Sequence, residues 1–275
     1  MPFLVTEANL QEPSALVITA DQRTGTDRLN SPRQEPPIII AEDITDEERQ
    51  ILIAVANSVN RIDLAVEGAP QTTCSAYKVG EIYLGDTIYT ARLSARHCFN
   101  SLTQNPSAQA ALLIDGERPR SFLAYNASPW KPYPEDAAIV LTEGSSPENA
   151  VEIGSSSQSR LQKQIGETFY QIGYASKGNG SLVLQQLILS GVEQVGSTIE
   201  LEFKKPDGTL FKKSEEGGIS GGLVVRIKNG APIVYGTSRG ISTNDPTSAI
   251  AYFPLPFNSI PGFINNPLTK MEQIN

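Results

Sequence analysis

Apolar positions fall into three regimes along the chain. Over residues 1–42 they show little periodicity among Gln, Pro, Thr, Ser and Arg, and Pro32, Pro36 and Pro37 stand just before Ile38-Ile39-Ile40. This predicts a tail or an extended arm. The next segment predicts a helix over 46–58. Thr45-Asp46-Glu47-Glu48 has the form of a capping box, with Thr45 as N-cap and Glu48 at N3. Ile51, Leu52, Val55 and Val59 then follow at helical spacing and give one apolar face.

From about residue 61 the pattern changes to short strands separated by turns. Arg61 to Val66, Ala76 to Val79, Glu81 to Leu84, Thr87 to Leu93, Ala110 to Ile114 and Ala137 to Thr142 are rich in Ile, Val, Leu and Tyr, punctuated by Gly80 and Gly85-Asp86. A weak link follows, Gly144-Ser145-Ser146-Pro147 and then Gly154-Ser155-Ser156-Ser157. A second block holds Phe169 to Tyr174, Leu182 to Leu189, Thr198 to Phe203, Gly222 to Ile227 and Ile233 to Gly236. Its turns carry Asn179-Gly180, Asp207-Gly208 and Asn229-Gly230, strong hairpin signals. Two blocks of this kind predict an all-β chain of two similar barrel or sandwich domains.

Composition narrows the function. The chain has 275 residues, 39% apolar and 19% charged, a globular make-up long enough for a full core. Acidic residues outnumber basic ones, 30 to 22, and the net charge of −8 argues against a nucleic-acid partner. Apolar runs such as Ile38 to Ala41 and Ile51 to Ala56 are too short to span a bilayer. The first residues lack a basic region, and Glu7 interrupts the apolar run, unlike a secretory signal peptide. That reading leans towards the cytoplasm without fixing the compartment. There is one histidine, His97, and there are two cysteines, Cys74 and Cys98. Three such donors, one of them more than twenty residues away along the chain, make a poor metal set, and neither a metal nor a cofactor is expected.

Any chemistry that needs an imidazole must therefore use His97. Gly218-Ile219-Ser220-Gly221-Gly222 places a serine between glycines, which suits an exposed nucleophile on a tight turn with N–H groups aimed at an oxyanion. The run also fits the Gly-x-Ser-x-Gly elbow of α/β-hydrolases, but in that fold the histidine follows the serine, and here no histidine follows Ser220. The order His97, Asp136, Ser220 remains. With Ser94-Ala95-Arg96-His97-Cys98, Glu135-Asp136-Ala137-Ala138-Ile139 and Gly218-Ile219-Ser220-Gly221-Gly222, the chain resembles the trypsin/chymotrypsin-like serine peptidases over roughly residues 65–265. Tyr235-Gly236-Thr237-Ser238-Arg239-Gly240 is similar to the family's substrate-pairing segment, and Tyr252 followed by Pro261-Gly262-Phe263-Ile264 to the end of its second barrel.

The resemblance implies two six-stranded antiparallel β-barrels of chymotrypsin type with an N-terminal extension containing one helix. The expected divisions are 1–60 for the arm and helix, 61–153 for the first barrel, 154–265 for the second and 266–275 for a C-terminal tail. It implies a serine endopeptidase in which Ser220 attacks, His97 is the base and Asp136 orients it, with the N–H groups of Gly218 and Ser220 as the oxyanion hole. Glu135 is the alternative acid. Ser214, Ser238, Arg239 and Gly240 are the expected substrate-binding residues. Cys74 and Cys98 match the family's disulfide beside the histidine. Ser214 gives a neutral pocket floor and Ile250 a shallow wall, so a small or medium apolar P1 residue is expected. Ile219 stands where the family has Asp, which implies no trypsin-type zymogen activation. It also keeps open a non-catalytic binding module, and an esterase on the same triad is a third possibility. The implied partner is a protein or peptide substrate, with a regulatory partner conceivable through the N-terminal extension.

Overall fold

The computed structural model describes residues 44–104, 110–126, 136–154, 157–175, 181–195, 198–211, 219–242 and 244–252, with the backbone of Ile18–Thr19. The rest of the arm, the segment after Tyr252, and the expected site residues Ser214 and Gly218 lie outside the described residues.

Each half of the chain is a six-stranded antiparallel barrel with one strand order. The first holds β2 (Val59–Val66), β3 (Thr72–Leu84), β4 (Thr87–Ser94), β5 (Ala110–Ile114), β6 (Ser121–Asn126) and β7 (Ala138–Glu143). They run β6-β7-β4-β3-β2-β5, with the two-residue β1 (Ile18–Thr19) added outside β6; among the described residues no ladder joins β5 to β6. The second holds β8 (Thr168–Tyr174), β9 (Leu182–Val195), β10 (Thr198–Lys204), β11 (Leu223–Lys228), β12 (Ala231–Ile241) and β13 (Ala249–Tyr252), in a closed ladder β10-β13-β12-β11-β8-β9. Among the described residues three short α-helices complete the fold: α1 (Asp46–Ala56), α2 (Asn100–Gln104) and α3 (Gln158–Gln162).

The side-chain period of two divides the apolar residues between three clusters. Phe169, Leu187, Leu189 and Val224 fill the second barrel, while Tyr170, Ile172, Leu184, Leu223 and Val225 face the first. On β7, Ala138 and Val140 point into the first barrel and Ile139 and Leu141 out towards the second. Strands at the barrel interface are thus buried on both faces, which is why Ala138 to Leu141 and Leu223 to Val225 read as continuous apolar runs. Helix α1 closes this shared core with Leu52, Val55 and Ala56. Its capping box forms as expected: Glu48 N–H donates to Thr45 Oγ1 at 3.2 Å and Thr45 N–H to Glu48 Oε2 at 3.1 Å, a cap worth about 1 kcal/mol.

Gly80 does not end a strand. β3 runs through it, and the pairing with β4 slips between Lys78 and Gly80, so the glycine marks a β-bulge.

One polar network is buried in the first barrel. Arg92, 2% exposed, donates from Nε to Asn60 Oδ1 (2.8 Å), from Nη1 to Thr142 Oγ1 (2.8 Å) and from Nη2 to Glu148 Oε2 (3.4 Å). Asn60 Nδ2 donates in turn to Asp115 Oδ2 (2.7 Å) and Glu148 Oε1 (3.0 Å). The network fixes the linker, which Val151 N–H to Lys78 O (3.0 Å) and Gly154 N–H to Val234 O (3.0 Å) then carry from one barrel to the other. Burial pushes the Glu148 carboxyl up, but its hydrogen bonds and the Arg92 charge outweigh this and hold it below the usual range. Its stabilising contribution is therefore present at neutral pH and lost as the pH falls through that lowered value. Arg92→Met leaves Asn60 and Glu148 without their cation, and urea denaturation should show a loss of about 3–5 kcal/mol; a loss under about 1 kcal/mol would mean that the network does not hold the barrel.

Candidate active site

Three segments from both barrels meet where the barrels touch. After β4 the chain turns through a 3₁₀ segment, Arg96–Phe99, which presents His97 with its side chain 40% exposed. Asp136 sits just before β7 and holds this turn at three points. Its backbone carbonyl accepts from Arg96 N–H (3.1 Å), its Oδ1 accepts from His97 N–H (2.7 Å), and its Oδ2 pairs with His97 Nδ1. The ring is thereby fixed with Nε2 as its free nitrogen. Cys98 follows His97, and its disulfide to Cys74 on β3 braces the turn from behind, with Cα atoms 6.2 Å apart.

Ser220 arrives from the second barrel on a tight turn. Gly222 N–H closes it onto Ile219 O at 2.8 Å, and Gly221 occupies the left-handed region at φ +83°, as the third residue of a type II turn requires. A Cβ on Gly221 would lie 2.1 Å from Ser75 O, 2.4 Å from Ser94 Oγ and 2.9 Å from Ala95 N, and one on Gly222 would lie 2.3 Å from Ile172 O. The glycines are thus needed for close packing between barrels as well as for backbone angle. Two flanking strands clamp the turn: Ser75 N–H donates to Ser220 O (2.8 Å), Gly221 N–H to Ser238 O (2.7 Å) and Ser238 N–H to Gly222 O (2.7 Å). Among the described residues no backbone acceptor takes the Ser220 N–H.

The structure pairs His97 with Asp136, and Arg239 links Ser220 to that pair, its carbonyl accepting from the Ser220 hydroxyl and its Nε standing 3.9 Å from Asp136 Oδ2; Ser220 of the expected oxyanion pair is placed while Gly218 is not described. The Ser220 hydroxyl donates to Arg239 O at 3.0 Å rather than to His97. Gly240, at φ +126°, lies beside it: a Cβ there would lie 3.7 Å from Ser220 Oγ.

The other expected binding residues divide in an unforeseen way. Ser238 is fully buried, and its Oγ accepts from Gln171 Nε2, so its side chain faces the protein interior. The pairing of β12 with β13 slips between Ser238 and Gly240, which leaves Arg239 at a bulge. From there its Nε stands 3.9 Å from Asp136 Oδ2 and its Nη1 donates to Tyr252 Oη at 3.2 Å. Burial pushes the Tyr252 phenol up, so it remains neutral. Arg239, rather than Ser238, is therefore the side chain beside the His–Asp pair. Ile250 lies across the ladder from Gly240 and is buried. Ile219 is 2% exposed and packs on Gly173, so no charged partner is needed there.

Sequence reasoning missed Ser75. It sits beside Cys74, gives its N–H to Ser220 O, accepts Ser94 Oγ on its carbonyl (2.7 Å) and Tyr174 N–H on its hydroxyl (2.8 Å). Nothing in the pattern around it distinguishes it from any other strand serine. Tyr77, two residues on and fully buried, adds a further link between the barrels, Oη to Thr237 Oγ1 at 2.6 Å.

Fold and cleft together define a chymotrypsin-like double barrel with the three side chains at the junction of its halves. The fold is shared with an active-form crystal structure of the Rv3671c protease from M. tuberculosis, at a TM-score of 0.51 and 14% identity, over 89% of this chain and 93% of that one. The HtrA-type protease AlgW with a tripeptide (TM-score 0.49, 15% identity, 78% of this chain and 62% of that one) and a serine endoprotease from Yersinia pestis (0.49, 16%, 82% and 68%) are also similar. No protein-family model matches the chain, and no curated protein matches it by sequence. Among the described residues no helix is long and apolar enough to cross a membrane.

Proposed function

We propose that the chain is a serine endopeptidase that cleaves peptide bonds through an acyl-enzyme. The observation that carries this reading is the double hold of Asp136 on His97, backbone N–H and Nδ1 together, with Ser220 on a glycine turn in the same cleft. Rotation of the Ser220 hydroxyl away from Arg239 O would let Nε2 take its proton as Oγ attacks the scissile carbonyl. Asp136 would stabilise the imidazolium that forms, and the imidazolium would then protonate the leaving amine. The Ser220 N–H would bind the developing oxyanion, a contact worth about 3 kcal/mol of barrier. The neighbours' protease chemistry supports a peptide substrate, and Arg239 at the cleft offers a cation to an acidic side chain of it.

A fluorophosphonate probe tests the assignment. Wild-type protein should be labelled at Ser220 and Ser220→Ala should not; labelling of both, or of neither, would remove the basis for it.

Two observations favour a second reading, a binding module on the same fold. The Ser220 hydroxyl is engaged by Arg239 O, and Ile219 fills the place before it with an apolar side chain. On that reading peptides bind the cleft without being cut, and the probe finds no nucleophile.

A further inference from the structure

The two cysteines and the histidine, dismissed as metal ligands on their spacing along the chain, meet in space. One ligand atom from each of Cys74, His97 and Cys98 lies within 4.8 Å of the others. We propose that the disulfide-reduced form of the protein binds a zinc ion through Cys74 Sγ, Cys98 Sγ and His97 Nε2.

The donor set is two thiolates and an imidazole, a soft set that suits zinc and excludes calcium or magnesium. Tetrahedral zinc holds sulfur at about 2.3 Å and nitrogen at about 2.0 Å, so its donors stand about 3.3–3.8 Å apart. Once the disulfide is open, rotation of the two cysteine side chains spaces the sulfurs for this. Asp136 Oδ2 holds Nδ1, which leaves Nε2 as the coordinating nitrogen, in the carboxylate–histidine–metal arrangement that raises ligand basicity. The cysteines are buried, at 3% and 2%, while the histidine side chain is 40% exposed, so the ion enters from the cleft. A fourth position stays open to water.

The chemistry balances with a dithiol as reductant. The dithiol passes two electrons and two protons to the Cys74–Cys98 bond and itself becomes a cyclic disulfide. Zinc then displaces one proton from each thiol. Metal uptake stands on the three donors alone; only its consequence, loss of the free lone pair on His97 and hence of peptidase activity, rests on the function proposed above.

The test uses the whole protein, reduced with excess dithiol and desalted without air. Reduced wild type should keep its near-ultraviolet circular dichroism and take up one zinc ion per chain, where the oxidised protein takes up none. Cobalt in its place should give intense thiolate-to-cobalt absorption. Cys74→Ser and Cys98→Ser should each weaken that absorption, and Asp136→Asn should lower zinc affinity ~10–100-fold. Equal uptake by oxidised and reduced protein would overturn the proposal, as would a cobalt spectrum without thiolate bands. So would affinity indifferent to His97→Gln, or a reduced chain that has lost its tertiary signal. Fluorophosphonate labelling of the oxidised protein separates this from the peptidase reading, since either can fail alone.

Discussion

Asp136→Asn should lower kcat ~10⁴-fold, the loss expected when a triad histidine is held in the wrong tautomer, while the fold and KM stay close to those of wild type. The geometry dictates which way the amide turns. The carboxylate has two tasks, and one of them, Oδ1 accepting from the His97 N–H at 2.7 Å, can be performed only by an oxygen. An asparagine must therefore keep its carbonyl there and present its NH2 group to Nδ1. The ring then accepts a hydrogen bond at Nδ1 and carries its own proton on Nε2, where it cannot receive one from Ser220. On the mechanism proposed above, the isosteric change removes the base while keeping both hydrogen bonds to His97. Steady-state kinetics on a peptide substrate, with circular dichroism as the folding control, measures it. A fall of less than about tenfold would mean that Asp136 is not the acid of the triad, and Glu135 would be the next residue to test.

Gly221→Ala should cost stability rather than chemistry, by roughly 4 kcal/mol or more, the range reserved for backbone clashes and buried strain. The methyl would meet Ser75 O, Ser94 Oγ and Ala95 N, all closer than any real Cβ contact and two of them backbone atoms of the opposite barrel. The left-handed φ of +83° adds a further cost of about 1 kcal/mol. Gly230→Ala is the matched control. That residue also has a positive φ, +73°, but nothing lies within 4 Å of a Cβ there, so only the backbone cost of about 1 kcal/mol applies. Urea denaturation of both variants separates crowding from backbone strain. Similar losses at the two positions would show that the turn is not wedged between the barrels as described.

What the sequence disclosed, and what it hid, follows from the range of the interactions. The α1 cap was legible because Thr45 and Glu48 are three residues apart and satisfy each other. Strand positions on both blocks were legible from apolar runs, although Ser121–Asn126, flanked by polar segments, was not marked, and Gly80 read as a turn where the pairing of β3 and β4 makes it a bulge. The resemblance through three short motifs led to the cleft, and the fold has the two barrels it implied. The roles of Ser238 and Arg239 were not legible. Which of two adjacent residues faces the cleft depends on a bulge set by the register of β12 against β13, and a one-residue slip exchanges the faces. Ser75 was hidden for the same reason, since its partners lie in three other segments of the chain.

Ser75 and Cys74 are neighbours on one strand, and each holds a different part of the cleft. Cys74 is bonded to the residue after His97, and Ser75 receives the carbonyl of Ser220 on its N–H. β3 thus serves as a common datum from which the proposed base and the proposed nucleophile are both measured. Breathing of one barrel against the other would carry the two together before it could separate them. In such a design the spacing that matters is referred to one rigid ruler a single peptide unit long, rather than to the sum of every loop between residues 97 and 220.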